Sequence, residues 1–225
     1  MKKIILAILL GLMLSFSASS VDAKTTKSHK KFLDATFALF VVTHDTYSFE
    51  CTATAIEKTA DGYKLLTAGH CVSDGLPLAV AEDITEGLTY YPVTVIKFRH
   101  DGHLDFALLS LKTSRKYEVM PLIYGYKPEI DTKVENVNFT DGIAKIVSDG
   151  RVSTQILTTY GAKGDCDQCH NHFMVQIFAG PGASGSAVVD SKLHRVIGIV
   201  TGGSEFTLGA FVEPLIYYPE FLAAQ

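Results

Sequence analysis

The chain has 225 residues, of which 47% are hydrophobic and 20% are charged, and its formal net charge is -4. This ordinary globular composition argues against a fibrous or a disordered protein. No run of one charge sign stands out, so the sequence carries no electrostatic footprint for nucleic acid.

The first 23 residues are typical of a secretory signal peptide. Lys2 and Lys3 precede an apolar run at residues 4–16, and small residues follow as far as Ala23. The apolar run is short for a membrane span, although an uncleaved N-terminal anchor is the alternative interpretation. We therefore expect a secreted or periplasmic protein with no stable membrane insertion after the signal peptide is cleaved.

The rest of the chain has the pattern of an all-β protein. Residues 24–31 are polar and basic and predict a loose lead-in. Short stretches rich in Val, Ile, Thr, Phe and Tyr then alternate with Asp–Gly turn signals, as expected for a barrel or a sandwich. The predicted strands are residues 35–42, 50–57, 63–67, 93–98, 105–111, 133–139, 143–147, 152–159, 173–178, 186–190 and 195–201. A linker is predicted at residues 112–121, and one helix at residues 214–224.

Two polar residues lie at the ends of apolar strands. His70 follows the strand at residues 63–67, where its imidazole is able to project from a fixed edge into a cleft. Asp105 opens the apolar strand 105–111, and an unpaired carboxylate is costly to bury there. A histidine would be a suitable partner for this carboxylate. The alternatives are a structural histidine and a solvent-facing aspartate.

A glycine-rich turn holds the third candidate. Ser184 lies between Gly182 and Gly185, which permit a tight bend that exposes the hydroxyl. The backbone N–H groups of Gly182 and Ser184 are then able to point into one pocket and bind an oxyanion. The alternative interpretation is a turn without catalytic function.

Together these segments resemble the sequence boxes of the chymotrypsin-like serine peptidases. Residues 67–71 (TAGHC) resemble the T-A-A-H-C box around the catalytic histidine, and residues 105–109 (DFALL) resemble the D-I-A-L-L box around the catalytic aspartate. Residues 182–185 (GASG) resemble the G-x-S-G box of the nucleophile, and residues 198–203 (GIVTGG) resemble the strand that lines the substrate cleft. The four boxes stand in the family's order, which makes the combination much more specific than any single box.

The resemblance implies two antiparallel six-stranded β-barrels with a short C-terminal helix. Residues 24–112 would form the first barrel, with His70 and Asp105, and residues 113–225 the second, with Ser184. The implied activity is that of a serine-type endopeptidase, a hydrolase of polypeptides that forms an acyl-enzyme and needs no cofactor or metal. The competing interpretations are a catalytically silent binding protein on the same fold and an esterase-like acyl hydrolase.

The sequence also departs from parts of the family. Ala183 stands where digestive and clotting enzymes have an aspartate that pairs with a new N-terminus, so this switch is not expected here. The loop is closer to the bacterial Deg-type and glutamyl endopeptidase branch. By resemblance, Thr201 would donate its hydroxyl to Asp105. The implied substrate-binding residues are Phe178, Ala179, Val200, Thr201, Gly202 and Gly203. They predict a pocket for small or apolar side chains.

Four cysteines are expected to pair in an oxidising compartment, and the sequence alone leaves three connectivities open. The resemblance implies a disulfide between Cys51 and Cys71 beside the catalytic histidine. Cys166 and Cys169 predict a short disulfide. The alternatives are a zinc site formed by both cysteines with His170 or His172, and a C-x-x-C-H haem attachment.

Overall fold

The computed structural model describes residues 27–44, 46–84, 88–101, 103–159, 170–204 and 209–223. The predicted signal peptide and both Cys166 and Cys169 lie outside these residues. None of the helices in the described ranges has the length and apolar composition needed to cross a bilayer.

The first half of the chain forms a closed antiparallel barrel. Its strands are β1 (Thr36–Thr43), β2 (Thr46–Lys58), β3 (Gly62–Thr67), β4 (Leu78–Ala81), β5 (Tyr91–His100) and β6 (Asp105–Lys112). They pair in the order β1-β2-β3-β6-β5-β4, and β4 closes the barrel on β1. Fully buried side chains such as Phe37, Leu39, Leu65 and Leu109 fill the core, which is the main stabilising contribution to this barrel.

The second half forms another barrel. Its strands are β7 (Lys133–Asn138), β8 (Ile146–Val152), β9 (Leu157–Thr159), β10 (His170–Gln176), β11 (Ala187–Asp190), β12 (Arg195–Ser204) and β13 (Gly209–Pro214). The sheet runs β13-β12-β11-β7-β8-β10-β9, and the pairing of β10 with β13 closes six of the strands. The predicted fold of two six-stranded antiparallel barrels is therefore confirmed. The domain limits at residues 112 and 113 stay a prediction.

Helices flank the two barrels. The lead-in predicted at residues 24–31 is wrong from residue 27 onward, because Lys27–Ala35 forms the helix α1. The buried side chains of Phe32 and Ala35 join α1 to the core of the first barrel. At the other end, helix α2 (Tyr218–Ala223) confirms the C-terminal helix, although it begins later than predicted.

Several strand limits differ from the sequence pattern. Strands β4 and β13 were not predicted, and residues 140–142, just before the strand predicted at 143–147, form a 3-10 turn. Pro214 ends β13 instead of starting the helix. Turn geometry in the second barrel thus depends on contacts that periodicity alone does not reveal.

Candidate active site

His70 lies just after β3, in a short 3-10 turn. The disulfide between Cys51 and Cys71 ties this turn to β2, so the implied pairing is confirmed. A glycine precedes the histidine because no side chain fits there. A Cβ atom on Gly69 would lie 2.1 Å from the carbonyl oxygen of Arg99. The backbone of the turn is therefore fixed, while the His70 side chain stays 31% exposed and open to a substrate.

Asp105 opens β6 and is bound directly to His70. Its Oδ2 lies 2.6 Å from His70 Nδ1, and its Oδ1 accepts the backbone N–H of His70 at 2.8 Å. A third contact comes from His100, whose Nδ1 lies 3.1 Å from Oδ1. Burial acts to raise the pKa of Asp105, but the hydrogen bonds and charge of His70, with a contribution from His100, hold that pKa below its ordinary value. The carboxylate is therefore ionised at neutral pH, as its partner imidazole requires.

Ser184 lies in the bend that its flanking glycines permit. Gly182 has φ +87° and Gly185 has φ +82°, values that other residues rarely adopt. Steric contacts also require glycine at both positions. A Cβ atom would lie 2.2 Å from the Phe49 ring at Gly182, and 2.0 Å from Thr67 Oγ1 at Gly185. The loop thus packs closely against the first barrel at both glycines.

Thr52 anchors this loop to the first barrel. Its backbone N–H donates to the carbonyl of Ser184 at 2.8 Å, and its hydroxyl donates to the carbonyl of Gly182 at 2.8 Å. Through the disulfide next to Thr52, the loop is connected to the turn that carries His70. Among the hydrogen bonds of the described residues, none joins the Ser184 hydroxyl to His70. Such bonds often tighten only when a substrate binds.

Two backbone N–H groups of the loop are held away from internal acceptors. The carbonyl of the peptide before Gly182 accepts the N–H of Asp141 at 2.7 Å, and the carbonyl before Ser184 accepts the N–H of Ser186 at 3.0 Å. In a planar trans peptide the N–H points opposite to the carbonyl. Within the described residues neither Gly182 nor Ser184 donates this N–H to a protein acceptor. Both donors are therefore available to a ligand.

The loop contains two serines in different environments. Ser186 is fully buried, and its Oγ accepts a hydrogen bond from Asn136 Nδ2 at 2.9 Å. Ser184 is partly exposed and lines a cavity. Only Ser184 is thus placed to react with a molecule from solution.

The cavity beside Ser184 has a volume of about 330 Å³. It is lined by Ala179, Gly180, Pro181, Ser184, Val200, Gly202 and Gly203. Four of the implied substrate-binding residues are in this set. Phe178 is not in this set, and the residue is 62% exposed. Thr201 does not line the cavity either, and its hydroxyl points to another partner.

The implied hydrogen bond from Thr201 to Asp105 is absent from the described residues. Thr201 Oγ1 instead lies 2.9 Å from His172 Nε2. His172 Nε2 also lies 3.5 Å from Glu213 Oε2, and the Glu213 side chain is fully buried. Burial, followed by the nearby charge of Asp105, raises the pKa of Glu213 well above its ordinary value. No sequence motif points to Glu213, because only the cross-strand geometry brings it to this site.

Two clusters of the described residues have ligand atoms close enough for a metal, apart from a group that includes the disulfide. One cluster is the His70, His100 and Asp105 set. The other comprises His29, Glu135 and Asp149, in which His29 Nε2 lies 3.3 Å from Glu135 Oε2. The direct contacts between histidine and carboxylate account for both arrangements. The zinc and haem interpretations of Cys166 and Cys169 concern residues outside the described ranges.

Comparisons with known proteins identify a family for this chain. A family model described as a trypsin-like peptidase domain matches residues 51–199, and no curated protein matches the chain in sequence.

Solved structures resemble the fold. The inactive form of the Rv3671c protease has a TM-score of 0.67 at 18% identity, over 87% of this chain and 91% of that one. A second structure of Rv3671c, from M. tuberculosis, gives 0.66 at 17%, over 88% and 89% of the two chains. The serine endoprotease from Yersinia pestis gives 0.64 at 16%, over 90% and 66%. At these identities the likeness shows the fold alone.

Proposed function

Because the chain belongs to the family of trypsin-like peptidases, we propose that it is an exported serine endopeptidase with Ser184 as its nucleophile. The observation that carries this proposal is the buried Asp105 carboxylate, held 2.6 Å from His70 Nδ1 on the barrel to which the Ser184 loop is anchored. His70 and Asp105 come from the first barrel and Ser184 from the second, so the site would lie at their junction.

The mechanism assigns one task to each group. His70 takes the proton of the Ser184 hydroxyl as the oxygen attacks the substrate carbonyl, and it later gives that proton to the leaving amine. Asp105 stays ionised, holds His70 in one tautomer and stabilises the imidazolium that forms. The free N–H groups of Gly182 and Ser184 bind the oxyanion. Water then hydrolyses the acyl-enzyme with His70 acting as the base.

The active shape of the loop does not depend on a salt bridge to a new N-terminus. Ala183, which is buried, has no carboxylate to offer such a partner. The side chain of Thr52 and the backbone of Asp141 supply the restraints instead, through their bonds to the carbonyls of Gly182 and Pro181. Both bonds orient peptides next to the proposed oxyanion donors.

The cavity beside Ser184 supports a preference for a small or apolar residue at P1, the position before the cleaved bond. Its described lining consists of small residues, proline and Val200, and it includes no charged side chain. A basic or acidic P1 side chain would lose its hydration there without gaining a charged partner.

Export is supported by two features. Residues 1–23 have the pattern of a cleavable signal peptide. The disulfide between Cys51 and Cys71 is of the kind that persists in oxidising compartments. We therefore place the protein outside the cytoplasm, either secreted or in a periplasm.

Digestion of a peptide library by the wild type and by Ser184→Ala tests the function. We expect the wild type to cleave after small or apolar residues, and the variant to lose kcat by on the order of 10⁶-fold while it keeps its fold. A wild type that binds but never cleaves would favour a silent binding protein. A strong preference for Arg, Lys or Glu at P1 would refute the proposed specificity.

A further inference from the structure

The carboxylate of Asp105 contacts a second imidazole, that of His100. His100 Nδ1 lies 3.1 Å from Asp105 Oδ1, and His70 Nδ1 lies 2.6 Å from the other oxygen, Oδ2. The Asp105 side chain is only 4% exposed, whereas that of His100 is 43% exposed. The buried carboxylate therefore has one imidazole on each oxygen, and the proposed triad includes only that of His70.

The backbone holds His100 in this position. It is the last residue of β5 and stands directly opposite Asp105, the first residue of β6, in the antiparallel register. In the turn between the two strands, the Asp101 carboxylate accepts the backbone N–H groups of His103 at 2.9 Å and of Leu104 at 3.0 Å. Side chains that face each other in such a pair lie about 5 Å apart at Cβ. The contact is thus a consequence of strand pairing and not of a mobile loop.

His100 contacts Asp105 as a hydrogen-bond partner, the role that the resemblance gives to Thr201. In the described residues, Asp105 receives no hydroxyl, because Thr201 Oγ1 is engaged with His172 at 2.9 Å. The two contacts from His70, Nδ1 at Oδ2 and the backbone N–H at Oδ1, leave a second acceptor site on Oδ1, which His100 Nδ1 fills. We propose that His100 is a positioning residue, whose Nδ1–H donates to Asp105 and fixes the carboxylate so that Oδ2 receives His70 Nδ1. This inference rests on the proposed function, because it concerns the same site.

The donor also affects the charge balance of the site. The Nδ1–H of His100 stabilises the negative charge of Asp105, and the same charge stabilises the imidazolium that forms on His70. Beside His100 in the hairpin, Arg99 is paired with Asp101 and also with Glu220. From the second barrel, Glu213 interacts electrostatically with Asp105. Without His100, Asp105 would attract the His70 proton more strongly, so the acid limb of the activity profile would move to higher pH.

Three variants of His100 separate positioning from structure. Asparagine places an N–H where Nδ1 stands, whereas leucine and alanine place none. For His100→Leu and His100→Ala we expect kcat to fall about tenfold with KM nearly unchanged, and the acid limb to shift upward by about 0.5 to 1 pH unit. His100→Asn should keep kcat within about threefold of the wild type. His103→Leu, in the same turn, is the matched control and should behave as the wild type. Alanine keeps the comparison valid if the leucine variant misfolds.

The readouts are kcat, KM and pH profile on one peptide, with fluorophosphonate labelling of Ser184 as a check on the nucleophile. Wild-type values for the leucine and alanine variants would overturn the inference and leave the proposed function intact. Equal losses in the leucine and asparagine variants, with an unchanged pH profile, would also overturn it, because they would indicate a structural role alone. Failure of the wild type to label or cleave would instead remove the proposed function, and this role with it.

Discussion

The first prediction concerns Thr52, which holds the loop that carries Ser184. Its side chain is fully buried in β2. Its hydroxyl donates to the carbonyl of Gly182 at 2.8 Å and accepts the backbone N–H of Phe139 at 3.2 Å. Thr52→Val keeps the shape of the side chain but removes the hydroxyl, so both backbone groups lose a partner in a buried site.

The magnitude follows from these two groups. A buried donor or acceptor that loses its partner costs about 1–3 kcal/mol, so the two together predict a loss of about 2–6 kcal/mol in the free energy of unfolding. Gly182 also carries a proposed oxyanion donor. Removal of one such donor typically costs 10²- to 10³-fold in kcat, so a displaced donor should cost about tenfold or more.

Thr54 provides a matched control on the same strand. It is also fully buried, but its Oγ1 has no hydrogen-bond partner within the described residues. Thr54→Val therefore removes an unsatisfied group, and we expect no loss of stability or a gain of up to about 1 kcal/mol. Thr52→Ser keeps the hydroxyl and should recover most of the kcat that valine loses.

Urea unfolding of the oxidised proteins, with kcat measured on one peptide, tests the pair. The expected order of stability is Thr54→Val at or above the wild type, and Thr52→Val well below it. Equal stability of the two valine variants would refute the hydrogen-bond argument. A stable Thr52→Val variant with unchanged kcat would show that the loop is held by its other contacts.

Two further predictions concern the surroundings of the site. Gly69→Ala should lower the free energy of unfolding by about 2 kcal/mol or more in urea titrations, since the new Cβ would meet the Arg99 carbonyl at 2.1 Å; wild-type stability would refute that close approach. In the folded protein, the pKa of Glu213 is raised above its ordinary value. At a pH between the pKa values of the unfolded and folded states, the native state keeps a proton that the unfolded chain releases. The free energy of unfolding therefore falls as the pH rises through this range. The free energy of unfolding of Glu213→Gln, relative to that of the wild type, should therefore increase as the pH rises from 5 to 8, by at most about 1.4 kcal/mol per pH unit. Parallel curves of stability against pH for the two proteins would contradict this prediction.

The sequence predicted the features that depend on short motifs. The boxes around His70, Asp105 and Ser184 led to the two-barrel fold, and the resemblance led to the disulfide between Cys51 and Cys71. All of these carry their information in a few adjacent residues. A turn, a strand end or a cysteine beside a histidine is visible in the sequence without knowledge of the packing.

The remaining features depend on which strands pair and in what register. His100 gives no signal as a partner of Asp105 until the register places the two residues opposite each other. Thr52 likewise acts across the junction of the barrels, at Gly182 and Ser184, far away in the sequence. The polar composition of residues 24–31 gives no indication of helix α1, because the side chain that anchors this helix in the core, Phe32, lies just beyond them.

Covalent labelling with a fluorophosphonate probe tests whether Ser184 is an activated nucleophile, because labelling requires the nucleophile, its base and the oxyanion donors together. We expect rapid labelling of the wild type on Ser184, identified by mass spectrometry of the modified peptide, and no labelling of Ser184→Ala. Label on Ser186, or a folded wild type that stays unlabelled, would contradict the proposed role of Ser184.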